Sequence, residues 1–345
     1  MDEVRIGIVG TGIMARSAAV ALSRERDARI TAIAGRTLES ARGFAADLPG
    51  RDEDRVLVTA DFRELCDSDA VEAVVVTTPD HLHADVMVAA AEGGKAVLVE
   101  KPFTTSTADA DRAVAAIRAA GVTAMCLFNH RWVPAYAQAK TMIAELGSPV
   151  MAYARKDDTI EVPTDMIKWA ARTTCAWFLS SHDIDLVTWL FDDRIESVTA
   201  LARTGLLAGR GIDTPDAIQI QARFRGGAIA TFESAWIYPN TFPTMTDSYM
   251  TLVNEHGAIQ LDRQQESITV ASESRFTYPR NMLQRVVHGV PAGAYRDALR
   301  HFLDCCRTGA EPLVDVESAR HVTAVLEAAH RSIASGLPES VDPGV

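Results

Sequence analysis

The stretch FLSSHDIDLVTWL, Phe178 to Leu190, puts one histidine and two aspartates into four residues at the head of an amphipathic pattern. Ile184, Val187, Leu190 and Phe191 make the apolar stripe, so the spacing predicts a helix. Ser180 is placed to cap it, with Asp183 three residues on in the manner of a capping box. His182 then falls in the first turn, where the helix dipole disfavours a charged imidazole. A neutral imidazole is what a general base needs, and Asp185 lies three residues further along the same face. The plainer alternative is that His182 does no more than start a helix.

A second stretch, Gly10-Thr11-Gly12-Ile13-Met14-Ala15, follows an apolar run and opens a helical pattern. It has the G-x-G-x-x-A form of a dinucleotide fingerprint. Gly10 permits the tight turn, Gly12 lets the backbone approach a pyrophosphate, and Ala15 allows close packing of helix on strand. The helix start through Thr11, Ile13 and Met14 supplies N–H donors and partial positive charge. The next strand ends Ala34-Gly35-Arg36-Thr37. A site for NAD usually has an acid there for the ribose 2′-OH. Gly35 occupies that place with Arg36 beside it, which suits a 2′-phosphate. NADP is the expected cofactor, with NAD as the alternative.

These residues need elements to hold them. VRIGIVG, ARITAIAGR, RVLVTA, AVEAVVVTTP, AVLVEKP and GVTAMCLFN read as six strands, with helices at Ala15–Ser23, 38–48 and Ala108–Ala119 among them. Such alternation predicts a doubly wound parallel sheet, a Rossmann domain over residues 1–126. From residue 127 to 345 the pattern is α+β. A helix is expected over Pro134–Leu146. DAIQIQARF and AIATFESAWI flank Gly226–Gly227 as a hairpin, and YMTLVNEHGAIQLD turns at Asn254–Gly257 as another. Ile218, Ile220, Ala222 and Phe224 share one side while Gln219, Gln221 and Arg223 share the other. This predicts a large open, mostly antiparallel sheet covered by helices on one face. Tyr295–Cys306 and Ser318–Ser332 read as closing helices.

Bulk properties narrow the function. The 345 residues exceed one ordinary core, so two domains are expected. A net charge of −12 argues against nucleic acid or an anionic membrane as partner. Five cysteines without framework spacing suggest a reduced, cytoplasmic protein. MDEVRIGIVG enters a strand at once, without the pattern of a signal peptide, and no apolar run approaches a membrane span. The histidines show no zinc-ligand spacing, so no metal is expected.

Glu100-Lys101-Pro102, taken with the glycine fingerprint, TTPDHLHADV at 77–86, FNHRW at 128–132 and HDIDLVTWL at 182–190, resembles the Gfo/Idh/MocA oxidoreductases over nearly the whole chain. The resemblance implies NAD(P)-dependent oxidation of a secondary alcohol on a sugar or cyclitol, or the reverse. Lys101 matches the family lysine, a cation for the developing alkoxide at the carboxyl end of a parallel strand. Pro102 restricts the backbone of Lys101 and so aims it. Thr77, Thr78, Pro79 and His83, after the fourth strand, would border the nicotinamide. Glu100 would pair with Lys101 or bind the nicotinamide ribose. His182 matches the family base, and Asp185 and Arg131 match substrate contacts. The resemblance also implies a small-molecule substrate and a homodimer or homotetramer, formed through the open sheet face.

One position departs from the family pattern. An aspartate usually stands four residues before the histidine, and here that residue is Phe178. Lys101 and His182 then act with Asp185 orienting the imidazole, or Asp157, Asp158 or Asp165 fills the gap. A third reading has Trp169, Trp177 and Phe178 lining a pocket for a less polar, dihydrodiol-type or carbonyl substrate. A non-catalytic cofactor-binding sensor is the remaining alternative.

Overall fold

The computed structural model describes residues 3–48 and 56–344. The chain forms two compact units. One is made of residues up to Trp132 together with Leu283–Arg320, the other of Val133–Met282 and the chain from His321 onward.

Up to residue 126 the described residues of the first unit alternate strand and helix. Its strands are β1 (Val4–Val9), β2 (Ala28–Ala34), β3 (Leu57–Thr59), β4 (Ala73–Val76), β5 (Ala96–Val99) and β6 (Ala124–Cys126). Between them run α1 (Ile13–Leu22), α2 (Leu38–Ala46), α3 (Phe62–Asp67), α4 (His83–Glu92) and α5 (Thr107–Ala120). The strand order is β3-β2-β1-β4-β5-β6, parallel throughout. Ile6, Ile8, Val74 and Leu98 are fully buried, as strands covered on both faces must be. The order reverses between β1 and β4, so the turns leaving those strands form the crevice where such sheets take ligands. The third strand, expected over residues 55–60, forms at Leu57–Thr59; Arg55 lies outside the described residues.

The later stretch of this unit contributes the helix Ala294–Thr308. Tyr295, Ala298, Leu299, Phe302 and Leu303 bury one face at helical spacing. Arg296 and Arg300 each reach the Glu25 carboxylate at 2.6 Å, and Arg307 reaches Asp27 at 2.6 Å.

The second unit is built on a seven-stranded sheet. After α6 (Pro134–Ile143) comes β7 (Pro149–Thr159), then α7 (Ser181–Phe191), β8 (Ile195–Arg203), β9 (Ala217–Phe224), β10 (Ile229–Tyr238), β11 (Thr246–Asn254) and β12 (Gly257–Asp262). The order is β12-β11-β7-β10-β9-β8, closed by the short edge strand Glu339–Ser340. Only β7 and β10 run parallel; every other pair is antiparallel. Both hairpins form where the glycine and asparagine turns place them. In β9 the alternation is as the sequence predicts, with Ile218, Ile220, Ala222 and Phe224 buried and Gln219, Gln221 and Arg223 exposed. Among the described residues no helix is long and apolar enough to cross a membrane.

Candidate active site

Gly10 leaves β1 with φ of 117°, a conformation that favours glycine. A Cβ there would lie 2.5 Å from Thr77 Oγ1 and 2.7 Å from the Thr77 carbonyl oxygen. Thr77 holds this wall by donating both its N–H and its hydroxyl to the Val9 carbonyl, at 2.8 and 3.0 Å. Gly12 precedes α1, and a Cβ added to it would meet nothing within 4 Å. The approach to the first N–H groups of α1, at Ile13 and Met14, is therefore open, as a pyrophosphate requires. The Thr78 hydroxyl is buried with no hydrogen-bond partner, a donor left for a ligand. These features fit a dinucleotide.

At the end of β2, Gly35 is buried and Arg36 exposed. A Cβ on Gly35 would lie 2.7 Å from Ser40 Oγ, 3.0 Å from the Ala41 nitrogen and 3.1 Å from Thr11 Cγ2. The crowding comes from a capping box in which Thr37 and Ser40 bond reciprocally to start α2. The acid of an NAD site has no room at residue 35.

Glu100 and Lys101 leave β5, and the Lys101–Pro102 peptide is cis. Lys101 is half-buried. Glu100 is buried and accepts from the Tyr295 hydroxyl at 3.1 Å, which also lies 3.4 Å from the Met14 carbonyl oxygen. Burial pushes the Glu100 carboxyl up to about 7, against the pull of Lys101 and Tyr295. Tyr295 thus links the Glu100 turn to the helix that follows the glycine turn. It stands 195 residues from Glu100, and no local pattern in the sequence could join them.

His83 opens α4 and is 1% exposed. Its Nδ1 lies 2.8 Å from the Pro102 carbonyl oxygen and its Nε2 lies 3.0 Å from that of Thr78. Both ring nitrogens are engaged by backbone, where the sequence suggested a contact with the nicotinamide. Pro79 lies between Thr78 and the short turn Asp80–Leu82 that leads into α4. Arg131, expected at the substrate, is 5% exposed and donates Nη1 to the Leu313 carbonyl at 2.7 Å.

The second unit carries His182, and here the helix start differs from expectation. A wide helical turn over Ala176–Ser180 runs straight into α7, and Ser180 has helical angles, φ −64° and ψ −21°. Ser180 makes no capping bond, and its buried hydroxyl has no hydrogen-bond partner. The hydroxyl that meets an early N–H belongs to Thr174, which accepts from Trp177 at 3.4 Å. His182 therefore lies inside a longer helix, beyond the reach of the first-turn dipole.

Asp183 does not cap. It forms a buried ion pair with Lys156 of β7, Nζ to Oδ1 2.5 Å, both side chains within 3% of full burial. The pair joins α7 to the sheet beside His182, which is half-buried. Asp185 is fully buried on the same helix. Lys156 was invisible in the sequence because β7 itself was: its run of Arg155, Lys156, Asp157 and Asp158 does not look like a strand.

The other expected residues separate cleanly. Trp177 is 7% exposed and stacks on His330 at 5.3 Å and 15°, which makes it a packing residue in place of a substrate wall. Phe178 is half-buried, its ring 6.3 Å from that of Trp236. Asp157 accepts from the Ala235 N–H at 2.6 Å and the Tyr238 hydroxyl at 3.0 Å, and burial pushes its carboxyl up to about 7. Asp165 is exposed. Asp158 lies two residues from Lys156 on the same side of β7, the side that meets α7, and is 2% exposed.

Comparison with known proteins matches both parts of the chain. Residues 4–128 match the model of an oxidoreductase family with an NAD-binding Rossmann fold, and residues 140–341 match the C-terminal alpha/beta domain of the same family. The scyllo-inositol 2-dehydrogenase (NAD(+)) of Bacillus subtilis (strain 168) is 28% identical over 81% of this chain and 80% of its own. A D-xylose 1-dehydrogenase (NADP(+)) of Haloferax volcanii is 26% identical over 86% of this chain and 92% of its own. Among solved structures, scyllo-inositol dehydrogenase from Lactobacillus casei with bound NAD(H) and scyllo-inositol superposes with a TM-score of 0.82, covering 99% of each chain at 16% identity.

Proposed function

The chain belongs to the Gfo/Idh/MocA oxidoreductase family, and from that premise we propose that it interconverts a secondary alcohol and a ketone on a cyclitol or sugar. The observation that carries the reading is the nucleotide crevice. Gly10 is closed against Thr77, Gly12 is open, and Lys101 stands at the carboxyl end of a neighbouring parallel strand. When bound, the nicotinamide supplies the hydride acceptor or donor. Lys101 steadies the carbinol oxygen as it becomes alkoxide-like. His182 exchanges the hydroxyl proton, and Asp185 holds the imidazole or a substrate hydroxyl. NADP is the preferred cofactor on the ground of Arg36 and the crowded Gly35, with NAD the alternative. The open face of the second sheet, where Leu201 and Ile229 are 72% and 52% exposed, is the surface through which copies associate.

Phe178 favours a second reading, a less polar carbonyl or dihydrodiol substrate, because it puts an aromatic ring where the family keeps a carboxylate. One experiment separates the readings. The purified protein is assayed for NAD⁺ and NADP⁺ reduction against inositols, sugars and dihydrodiols, with Lys101→Ala and His182→Ala alongside. Oxidation of a polyol, falling by about 10²-fold or more in each variant while cofactor still binds, is the expected result. Turnover restricted to dihydrodiols or carbonyls selects the second reading, and cofactor binding without any turnover selects a sensor.

A further inference from the structure

The His83 side chain sits between two turns that the sheet brings side by side. Thr78 follows β4 and Pro102 follows β5, and these strands are parallel neighbours. Each turn offers a carbonyl oxygen to a different nitrogen of one imidazole, at 3.0 and 2.8 Å. A neutral imidazole has one N–H and one lone pair, so it can donate to only one of two carbonyls. Facing two acceptors at these distances, the ring satisfies both when each nitrogen carries a proton. Burial is the largest influence and lowers the ring's pKa, against the pull of the carbonyls and the nearby Asp80 carboxylate, so the doubly protonated ring rests on the two contact distances.

We propose that His83 is a positioning residue, which grips the carbonyls of Thr78 and Pro102 at once and so fixes the two turns that present the Thr78 hydroxyl and Lys101 to the cofactor. The proposal rests on the cofactor and Lys101 roles given above. Thr78 has its carbonyl held by His83, leaving its buried hydroxyl as the unpartnered group. Pro102 is bonded directly after Lys101, so a shift of its carbonyl rotates the peptide that aims the lysine. Both His83 ring nitrogens are taken up by backbone carbonyls. The effect of His83 is transmitted through backbone, across two strands and from one ring.

The test uses the intact protein with His83→Leu, which fills similar space without donors, and His83→Gln, whose amide can donate to one carbonyl. NADH and NADPH dissociation constants are read by fluorescence, and kcat and KM by steady-state assay. The Leu variant is expected to bind cofactor about tenfold more weakly and to lose about tenfold in kcat, with KM for the polyol little changed. The Gln variant is expected to recover part of both losses. A folded Leu variant within about twofold of the parent in both quantities overturns the proposal. If the Leu variant does not fold, the ¹⁵N spectrum of the wild-type His83 ring decides: two proton-bearing nitrogens support the double grip, and one overturns it. The cofactor measurements need no substrate. Weakened binding in a protein that oxidises no polyol would leave His83 standing and sink the activity, and an active protein indifferent to His83→Leu would do the reverse.

Discussion

Glu100 shows how a single buried carboxyl ties cofactor-site geometry to pH. Its pKa of about 7 exceeds the ordinary 4.5, so the folded state holds the proton more tightly than the unfolded chain. The resulting stabilisation is complete below about pH 4.5 and is lost as pH rises through about 7, amounting to roughly 3 kcal/mol. Urea unfolding at pH 5 and pH 8.5 checks this: Glu100→Gln should flatten the difference. Cofactor choice gives another prediction at this scale. Arg36→Ala should raise KM for NADP⁺ by about tenfold and leave NAD⁺ within about twofold. Gly35→Asp should not convert the site to NAD; it should cost about 1–3 kcal/mol, read in the same unfolding assay, because its Cβ meets Ser40 and the Ala41 backbone. The glycine turn was legible in the sequence because its constraints are local. Gly10 and Gly12 act within one turn, whereas Tyr295 reaches Glu100 from a distant stretch.

Among the elements, α7 and β7 are fixed to one another by a charge pair that hydropathy patterns hide. Asp183→Asn leaves Lys156 buried without its counter-ion and should destabilise the protein by about 3–5 kcal/mol. The double variant Asp183→Asn with Lys156→Met should recover most of that loss, which chemical denaturation would measure. Strands such as β9 were readable because side chains alternate between core and solvent. Strand β7 was not, because Lys156, Asp157 and Asp158 are charged yet buried, the first two held by partners on other elements. The start of α7 was misplaced for a related reason. Ser180 has the residue type of a cap, but the chain is already helical when it arrives, and Thr174 holds the earlier turn.

In the whole molecule, the alternation of the first third and the one-sided sheet of the rest were both evident from periodicity, and both are present. What periodicity could not convey was that residues 283–320 rejoin the first unit. Amphipathic spacing marks Ala294–Thr308 as a helix but does not say which core its apolar face joins. A chain ended after Met282 would lack Tyr295, Phe302 and the arginines that meet Glu25 and Asp27. Such a chain should fail to bind NADH and should melt well below the full protein, by fluorescence titration and calorimetry.

That divided first unit also sets an order of events during synthesis. The ribosome delivers all six parallel strands early, then spends residues 133–282 on the other unit before the missing helix emerges. At roughly 5–20 residues per second this interval lasts about eight to thirty seconds. Throughout it the nascent nucleotide half exposes the apolar surface that Leu299 and Phe302 later cover, a surface suited to a chaperone's grip. The nucleotide half is thus begun before residues 133–282 and completed only after them, when the helix that carries Tyr295 is made.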